Sequence, residues 1–251
     1  MKIKILIIIS LILSLFLFVA GCKGASRVNT YVIGRDPTWY PLDLMGKQNN
    51  VYGFSTDLFQ AVAKIENLLL QLDSTGWNQI IPGLKSGTFD GALTSMTPTP
   101  MNEADYDFSE PFLSLGPVLI VKNVSPYHSL EDLSEKIVGV STFNNSDELI
   151  VQKVGTIVIK PYENLSLALQ DLSQGKIDGA VMGKVIAETY LKDLYRGQLR
   201  IATPPLNKKG LRLMVLHRQE IELIEAFNRG LEQIKRDGTY RQLLEKWNLS
   251  N

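Results

Sequence analysis

Of its 251 residues the chain spends one on cysteine, two on histidine and three on tryptophan. The lone cysteine, Cys22, excludes an intramolecular disulfide. His128 follows Ser125-Pro126-Tyr127, and His217 stands at a strand end before Arg218. Neither has a second histidine, a cysteine or a clustered carboxylate at metal or triad spacing. Asp36 by itself is a thin basis for acid–base catalysis. No metal, cofactor or catalytic residue is therefore expected. A charge excess is also lacking, with 26 basic residues against 26 acidic ones. Nucleic-acid binding, which needs a basic footprint, is excluded on that ground. After the first 19 residues no long apolar run occurs, so nothing suggests a membrane channel.

The first residues are of a different kind. Lys2 and Lys4 make a positive start, Ile5 to Val19 is almost wholly apolar, and Val19-Ala20-Gly21-Cys22 closes it with small residues. That pattern reads as a secretory signal over 1–21, too short and wrongly flanked for a spanning helix. Small residues directly before a cysteine resemble the bacterial lipobox, in which Cys22 carries the lipid. Without Lys2 and Lys4, 24 basic residues stand against 26 acidic ones, and roughly 230 residues remain, enough for a large core or two domains.

The stretch from Leu84 to Phe112 organises the rest. Leu84 and Lys85 run into Gly87 as a helix end. Phe89 to Leu93 has strand length, and Thr94, Ser95 and Thr97 then leave the strand together. Pro98 and Pro100 stop it from continuing. Ligands of open α/β sheets sit beyond the carboxyl ends of the strands, where such hydroxyls form a lip for a polar ligand. The unit then recurs: Gly175-Lys176-Ile177-Asp178-Gly179-Ala180 echoes Gly87-Thr88-Phe89-Asp90-Gly91-Ala92. The echo sits at equivalent places in two strand–helix alternations, which predicts two related α/β lobes.

Around this stretch the pattern predicts strands at 28–33, 68–72, 118–121, 137–140 and 156–159. It predicts helices capped by Ser55 or Thr56, at 77–85, from Ser129, at 147–154, 165–172, 220–236 and 240–247. Asn49-Asn50 reads as a turn.

Together the motifs resemble the extracytoplasmic solute-binding proteins of ABC importers, in their polar amino-acid-binding branch. The matching pieces are Gly53-Phe54-Ser55-Thr56-Asp57-Leu58, Leu84-Lys85-Ser86-Gly87, Ser95-Met96-Thr97, Asp107 to Phe112, Gly175-Lys176-Ile177-Asp178, Asp237-Gly238-Thr239-Tyr240 and Lys246-Trp247. They keep the family's order over nearly the whole chain. The resemblance implies an α/β, two-lobed clamshell of the type II periplasmic-binding-protein kind. Residues 28–113 with 212–251 would form lobe one and 117–206 lobe two. Two crossovers near 114–117 and 210–212 would be the hinge. It implies a monomeric receptor that closes on a small polar, amino-acid-like solute and presents it to a membrane permease. The protein would be exported to the periplasm or cell surface and held by lipid on Cys22. A dehydratase-like enzyme on the same scaffold is the rival class. A sensor ectodomain would run on into a membrane helix, whereas this sequence stops at Asn251.

Laid on this chain, the family's site falls on Asp36, Trp39, Trp77, Thr94, Ser95, Thr97, Asn102, Asn145 and Ser146. Asp36 either pairs with a ligand cation or caps its own loop. Trp39 and Trp77 either wall the cleft or pack in the core. The family's carboxylate-clamping arginine is replaced by Asn102, and its ammonium-holding aspartate by Gly183. The usual Gly-Thr/Ser-Thr loop reads Phe143-Asn144-Asn145. Each lost charged partner is worth about 1–3 kcal/mol. The ligand is then an amino acid held through neutral groups, or a peptide, amide or cationic metabolite without the zwitterion; a slip of register around Met101 and Lys184 is the remaining account.

Overall fold

Two mixed sheets, each flanked by helices, form the two lobes of an α/β clamshell. The computed structural model describes residues 29–249, apart from residues 41, 43, 143 and 144 and the side chains of Asn145 and Ser146. The expected signal over 1–21, Cys22, and part of the first expected strand lie outside the described residues. In chain order the strands are β1 (Thr30–Arg35), β2 (Leu69–Ser74), β3 (Gly91–Thr94), β4 (Tyr106–Phe108), β5 (Leu113–Ser114), β6 (Pro117–Lys122), β7 (Ile137–Ser141), β8 (Val158–Tyr162), β9 (Gly179–Gly183), β10 (Leu199–Ile201) and β11 (Gly210–Leu216). The helices are α1 (Gln48–Glu66), α2 (Trp77–Ser86), α3 (Asn145–Gln152), α4 (Leu165–Gln174), α5 (Lys184–Asp193), α6 (Ile221–Arg236) and α7 (Thr239–Lys246). No helix among the described residues is long and apolar enough to cross a membrane.

Sheet one has the order β2-β1-β3-β11-β4, with β5 also on β11, and sheet two the order β10-β6-β9-β7-β8. The chain passes from the first sheet to the second between β5 and β6, and returns between β10 and β11. At the passage, Leu115 and Gly116 donate their amides to the Lys209 carbonyl at 2.9 and 3.1 Å. Gly116 and Gly210 are dictated by space there. A Cβ at Gly116 would stand 2.7 Å from the Asn207 carbonyl oxygen, and one at Gly210 2.6 Å from that of Leu113.

The sequence echo has one physical meaning in both lobes. Gly87 and Gly175 end α2 and α4 in the left-handed conformation, at φ 73° and 76°. Phe89 and Ile177 then bury. Asp90 exchanges two bonds with Val32 of β1: its amide donates to the Val32 carbonyl at 2.8 Å, and its carboxylate accepts the Val32 amide at 2.7 Å. Asp178 does the same with Ile137 of β7, at 2.8 and 3.0 Å. The register also repeats, with Ile33 opposite Gly91 and Val138 opposite Gly179 in parallel pairs.

The other motifs are ties within lobe one. Asp57 of α1 accepts the Trp247 indole N–H at 2.7 Å and the Lys246 ammonium at 2.6 Å. Gly53 leaves room for that indole, since a Cβ would stand 2.1 Å from the ring. Ser109 bonds Leu213 of β11 through both its amide (2.8 Å) and its hydroxyl (3.0 Å). The half-buried Tyr240 donates to the Phe112 carbonyl at 2.9 Å. Phe59, Phe112 and Phe227 pack at centroid separations of 4.6 to 6.3 Å, worth about 0.5–1.5 kcal/mol per pair beyond buried area.

Three expectations fail for local reasons. Helix α1 starts at Gln48, so Asn49 and Asn50 are helical and Ser55 and Thr56 are not caps. Both hydroxyls bond back to the Tyr52 carbonyl, at 2.8 and 3.0 Å, and accept the Arg35 guanidinium, so neither has to stop the helix. The helix predicted from Ser129 shrinks to a single 3₁₀ turn, Glu131–Leu133. Helix α5 is not among the expected elements; it packs through Val185, Ala187 and Leu191.

Asp57 makes the fold sensitive to acid. Its partial burial pushes its pKa up, but the Lys246 ammonium and the Trp247 N–H outweigh that and hold it below the ordinary 3.8. A depressed folded pKa contributes stability that is full above the unfolded value and lost as pH falls through the folded one. Asp57→Asn should cost about 1–2 kcal/mol at neutral pH, with the gap to the parent closing as pH falls below the ordinary 3.8. Urea unfolding against pH measures it; a gap that does not change with pH contradicts the assignment.

Candidate functional site

The carboxyl ends of β1 and β3 in lobe one face those of β7, β8 and β9 in lobe two. Between them lies a cavity of about 790 Å³, within the usual range of ligand pockets. Lobe one contributes Leu42, Leu44, Met45, Ser95 and Thr97. Lobe two contributes Ser141, Asp147, Glu163, Asn164, Gly183 and Tyr190, with neighbouring apolar residues. The hinge closes the back with Leu115, Lys209 and Gly210.

Of the hydroxyls at the end of β3, Ser95 and Thr97 line this cavity. Thr94 does not. It is 1% exposed, and its hydroxyl accepts the Met96 amide at 3.0 Å, turning the chain out of the strand. Asn102 is committed to its own loop: it donates to the Thr97 carbonyl at 2.9 Å and accepts the Thr99 amide at 2.8 Å. It thereby holds Thr97 in place from behind. Lys184, next to Gly183, pairs with Glu188 at 3.5 Å.

Neither Asp36 nor Trp39 lines this cavity. Asp36 is buried, and one carboxylate oxygen caps its loop by accepting the Thr38 amide and hydroxyl at 2.9 and 2.8 Å. The other oxygen is buried without a hydrogen-bond partner. Trp39 is 4% exposed and belongs to the lobe-one core. Its φ of 58° is a conformation a bulky residue holds only when packing fixes it. Leu42, Leu44 and Met45 of the following loop form the wall instead. Trp77 is half-buried on the cluster of Ile80, Leu84 and Phe89, and its ring meets Tyr40 at 6.3 Å. Asn145 and Ser146 open α3; their side chains lie outside the described residues.

Sequence reasoning missed Asp147, Glu163, Asn164 and Lys209. Each carried a positional signal: Glu163 and Asn164 follow the end of β8, Asp147 is in the first turn of α3, and Lys209 precedes the hinge glycine. Two buried arginines stay outside the cavity. Arg35 lies 3.6 Å over the Tyr52 ring and donates to the Tyr52 carbonyl, Ser55 and Thr56. Arg212 donates to the carbonyls of Ser109 and Lys208, at 2.6 and 2.9 Å. Burial lowers the pKa of both.

A cleft between two lobes, walled by mixed polar and apolar groups and backed by a two-segment hinge, is the geometry of a binding protein. A family model for bacterial extracellular solute-binding proteins, family 3, matches residues 31–250. The chain belongs to this family. This solute-binding protein is 27% identical over 235 residues to the ABC transporter arginine-binding protein 1 of Escherichia coli (strain K12), covering 92% of this chain and 94% of the relative. It is 25% identical over 254 residues to the arginine-binding extracellular protein ArtP of Bacillus subtilis (strain 168), covering 98% of each. The L-cystine solute receptor of Neisseria gonorrhoeae, solved in an unliganded open conformation, shares the fold, with a TM-score of 0.67 at 24% identity. The match covers 89% of this chain and 94% of that one. As a member of a family of binding receptors, this protein is not an enzyme.

The split among the three hydroxyls is testable. Ser95→Ala and Thr97→Ala should each weaken ligand binding about three- to tenfold and leave the melting temperature nearly unchanged. Thr94→Ala should instead lower stability by about 1 kcal/mol. Calorimetric titration and thermal unfolding of the three variants separate the effects; a Thr94→Ala effect confined to binding contradicts the geometry.

Proposed function

We propose that this solute-binding protein is the exported receptor of an ABC importer for an amino acid, which it takes up between its lobes. The observation that carries the reading is the inter-lobe cavity with the Ser95–Thr97 lip at its edge, in a chain of an extracellular solute-binding family whose relatives include an arginine-binding protein of an ABC transporter. The lobes are residues 28–113 with 212–251, and 117–206. They close on the solute about the segments at 114–117 and 210–212, and the closed form is what the membrane permease recognises. Hinge closure of this kind is how periplasmic binding proteins work, with ligand contacts on both lobes stabilising the closed state. Cys22 carries the lipid that holds the otherwise soluble monomer at the membrane, on the periplasmic or outer surface.

The commitment of Asn102 to its own loop, with Gly183 on the facing lobe, supports a second reading. In that reading the ligand is a peptide, an amide or another small polar or cationic metabolite without the free zwitterion.

A thermal-shift screen of the mature chain against free amino acids, dipeptides, amino-acid amides and polyamines separates the two. A ligand at a hundred times its Kd adds about 2.7 kcal/mol of stability, an easily read shift. The amino-acid reading predicts a clear shift from at least one free amino acid. Shifts from the amides or polyamines alone would contradict it in favour of the second reading.

A further inference from the structure

Helix α5 belongs to lobe two, yet it lies between two spaces that both lobes line. One face, Ile186 and Tyr190, opens on the cleft of about 790 Å³. Another face, Glu188, Thr189, Lys192 and Asp193, lines a far smaller cavity, whose lobe-one side is Lys47, Asn248 and Leu249. Val185 lines both. The small cavity holds about 10 Å³, room for about one water molecule. At about 30 Å³ per water, the cleft has room for roughly 25, more than a single amino acid displaces. The lobes therefore stand apart on one side of α5 and meet on the other.

The meeting is bonded as well as close. The Lys192 ammonium donates to the Asn248 side-chain oxygen across the lobes. Beside it Val185 and Leu249 are buried, at 8% and 5% exposure. Leu249 is part of the lobe-one core, and the preceding Trp247 is tied to Asp57, so Asn248 is fixed to lobe one. Glu188 pairs with Lys184 of its own helix at 3.5 Å and keeps 15% of its side chain exposed, while Lys47 brings lobe one's ammonium to the same cavity. The other end of α5 is fixed to the hinge, where the Lys184 amide donates to the Gly116 carbonyl at 3.1 Å. A rotation of lobe two about the hinge thus carries Lys192, at the far end of α5, relative to Asn248. The loop before α1 spans both spaces, with Leu42, Leu44 and Met45 on the cleft and Lys47 on the small cavity. Motion of one lobe on the other changes both at once.

We propose that this contact is a latch that holds the lobes apart: the Lys192–Asn248 bond, with Val185 and Leu249 beside it, stabilises the wide cleft and is broken when the lobes close. It rests on the closure about the hinge proposed above, and not on which solute binds. The latch sets the fraction of the chain in the closed form, and with it the apparent affinity, without touching the solute.

The test is a distance measurement between spin labels on the two lobes. The labels are attached at Met101→Cys and Leu167→Cys, both exposed, in the mature chain carrying Cys22→Ser. Distances are read without solute and with a mixture of the twenty free amino acids. Without solute, Lys192→Met should raise the closed, short-distance population about two- to fivefold. Asn248→Asp keeps a residue that tolerates the φ of 53° and turns the bond into an ion pair, and should lower that population by a similar factor. Lys192→Met combined with Asn248→Asp should behave as Lys192→Met alone. Lys153→Met removes the same charge just past α3, away from the contact, and should match the parent. Thermal unfolding checks that each variant folds. A Lys192→Met distribution that matches the parent or lengthens, an Asn248→Asp variant that closes more, or an equal shift from Lys153→Met would overturn the latch. A parent whose distances the amino-acid mixture does not shorten would instead overturn the closure reading, and the latch with it.

Discussion

Strand β11 holds three neighbours at once, β3, β4 and β5, and at its first residue, Gly210, a Cβ would stand only 2.6 Å from the Leu113 carbonyl oxygen. Everything that makes the cleft a cleft depends on this crowded crossing. The return strand enters sheet one there, the outgoing chain leaves beside it, and the Lys209 carbonyl joins the two through the Leu115 and Gly116 amides. Buried Arg212 adds bonds to Ser109 and Lys208, fixing the crossing to the Ser109–Phe112 segment below.

The lobes themselves repeat one design. In each, a glycine ends a helix, a buried apolar residue follows, and an aspartate takes an amide from the neighbouring strand. The sequence echo was legible because each of its steps needs a particular residue type. Gly87 and Gly175 need positive φ, Gly91 and Gly179 need room for neighbouring leucines and isoleucine, and Asp90 and Asp178 need a carboxylate of one length. Gly53 and Trp247 were legible as motif members for the same reason, although only the structure shows the indole lying on the glycine.

What the sequence hid depended on contacts distant along the chain. Ser55 and Thr56 look like caps until Arg35 reaches them from β1. Trp39 looks like a cleft wall until the loop after it turns the indole inward and puts Leu42, Leu44 and Met45 on the surface it vacates. Asn102 stands where the resemblance leads one to expect an arginine, but its service to Thr97 and Thr99 is visible only in the folded loop. Lys209 carried no motif at all, being one lysine of a pair beside a glycine. Fold is written largely in backbone constraints, which are local. Specificity is written in side chains that many separate elements bring to one cavity.

The central claim is that the cleft closes on an amino acid. Small-angle X-ray scattering of the mature chain, with and without the amino acid that stabilises it most, tests that claim directly. The account predicts a smaller radius of gyration and a shorter maximum dimension in the presence of ligand, saturating with the calorimetric affinity. Scattering curves that superpose at saturating ligand would contradict it.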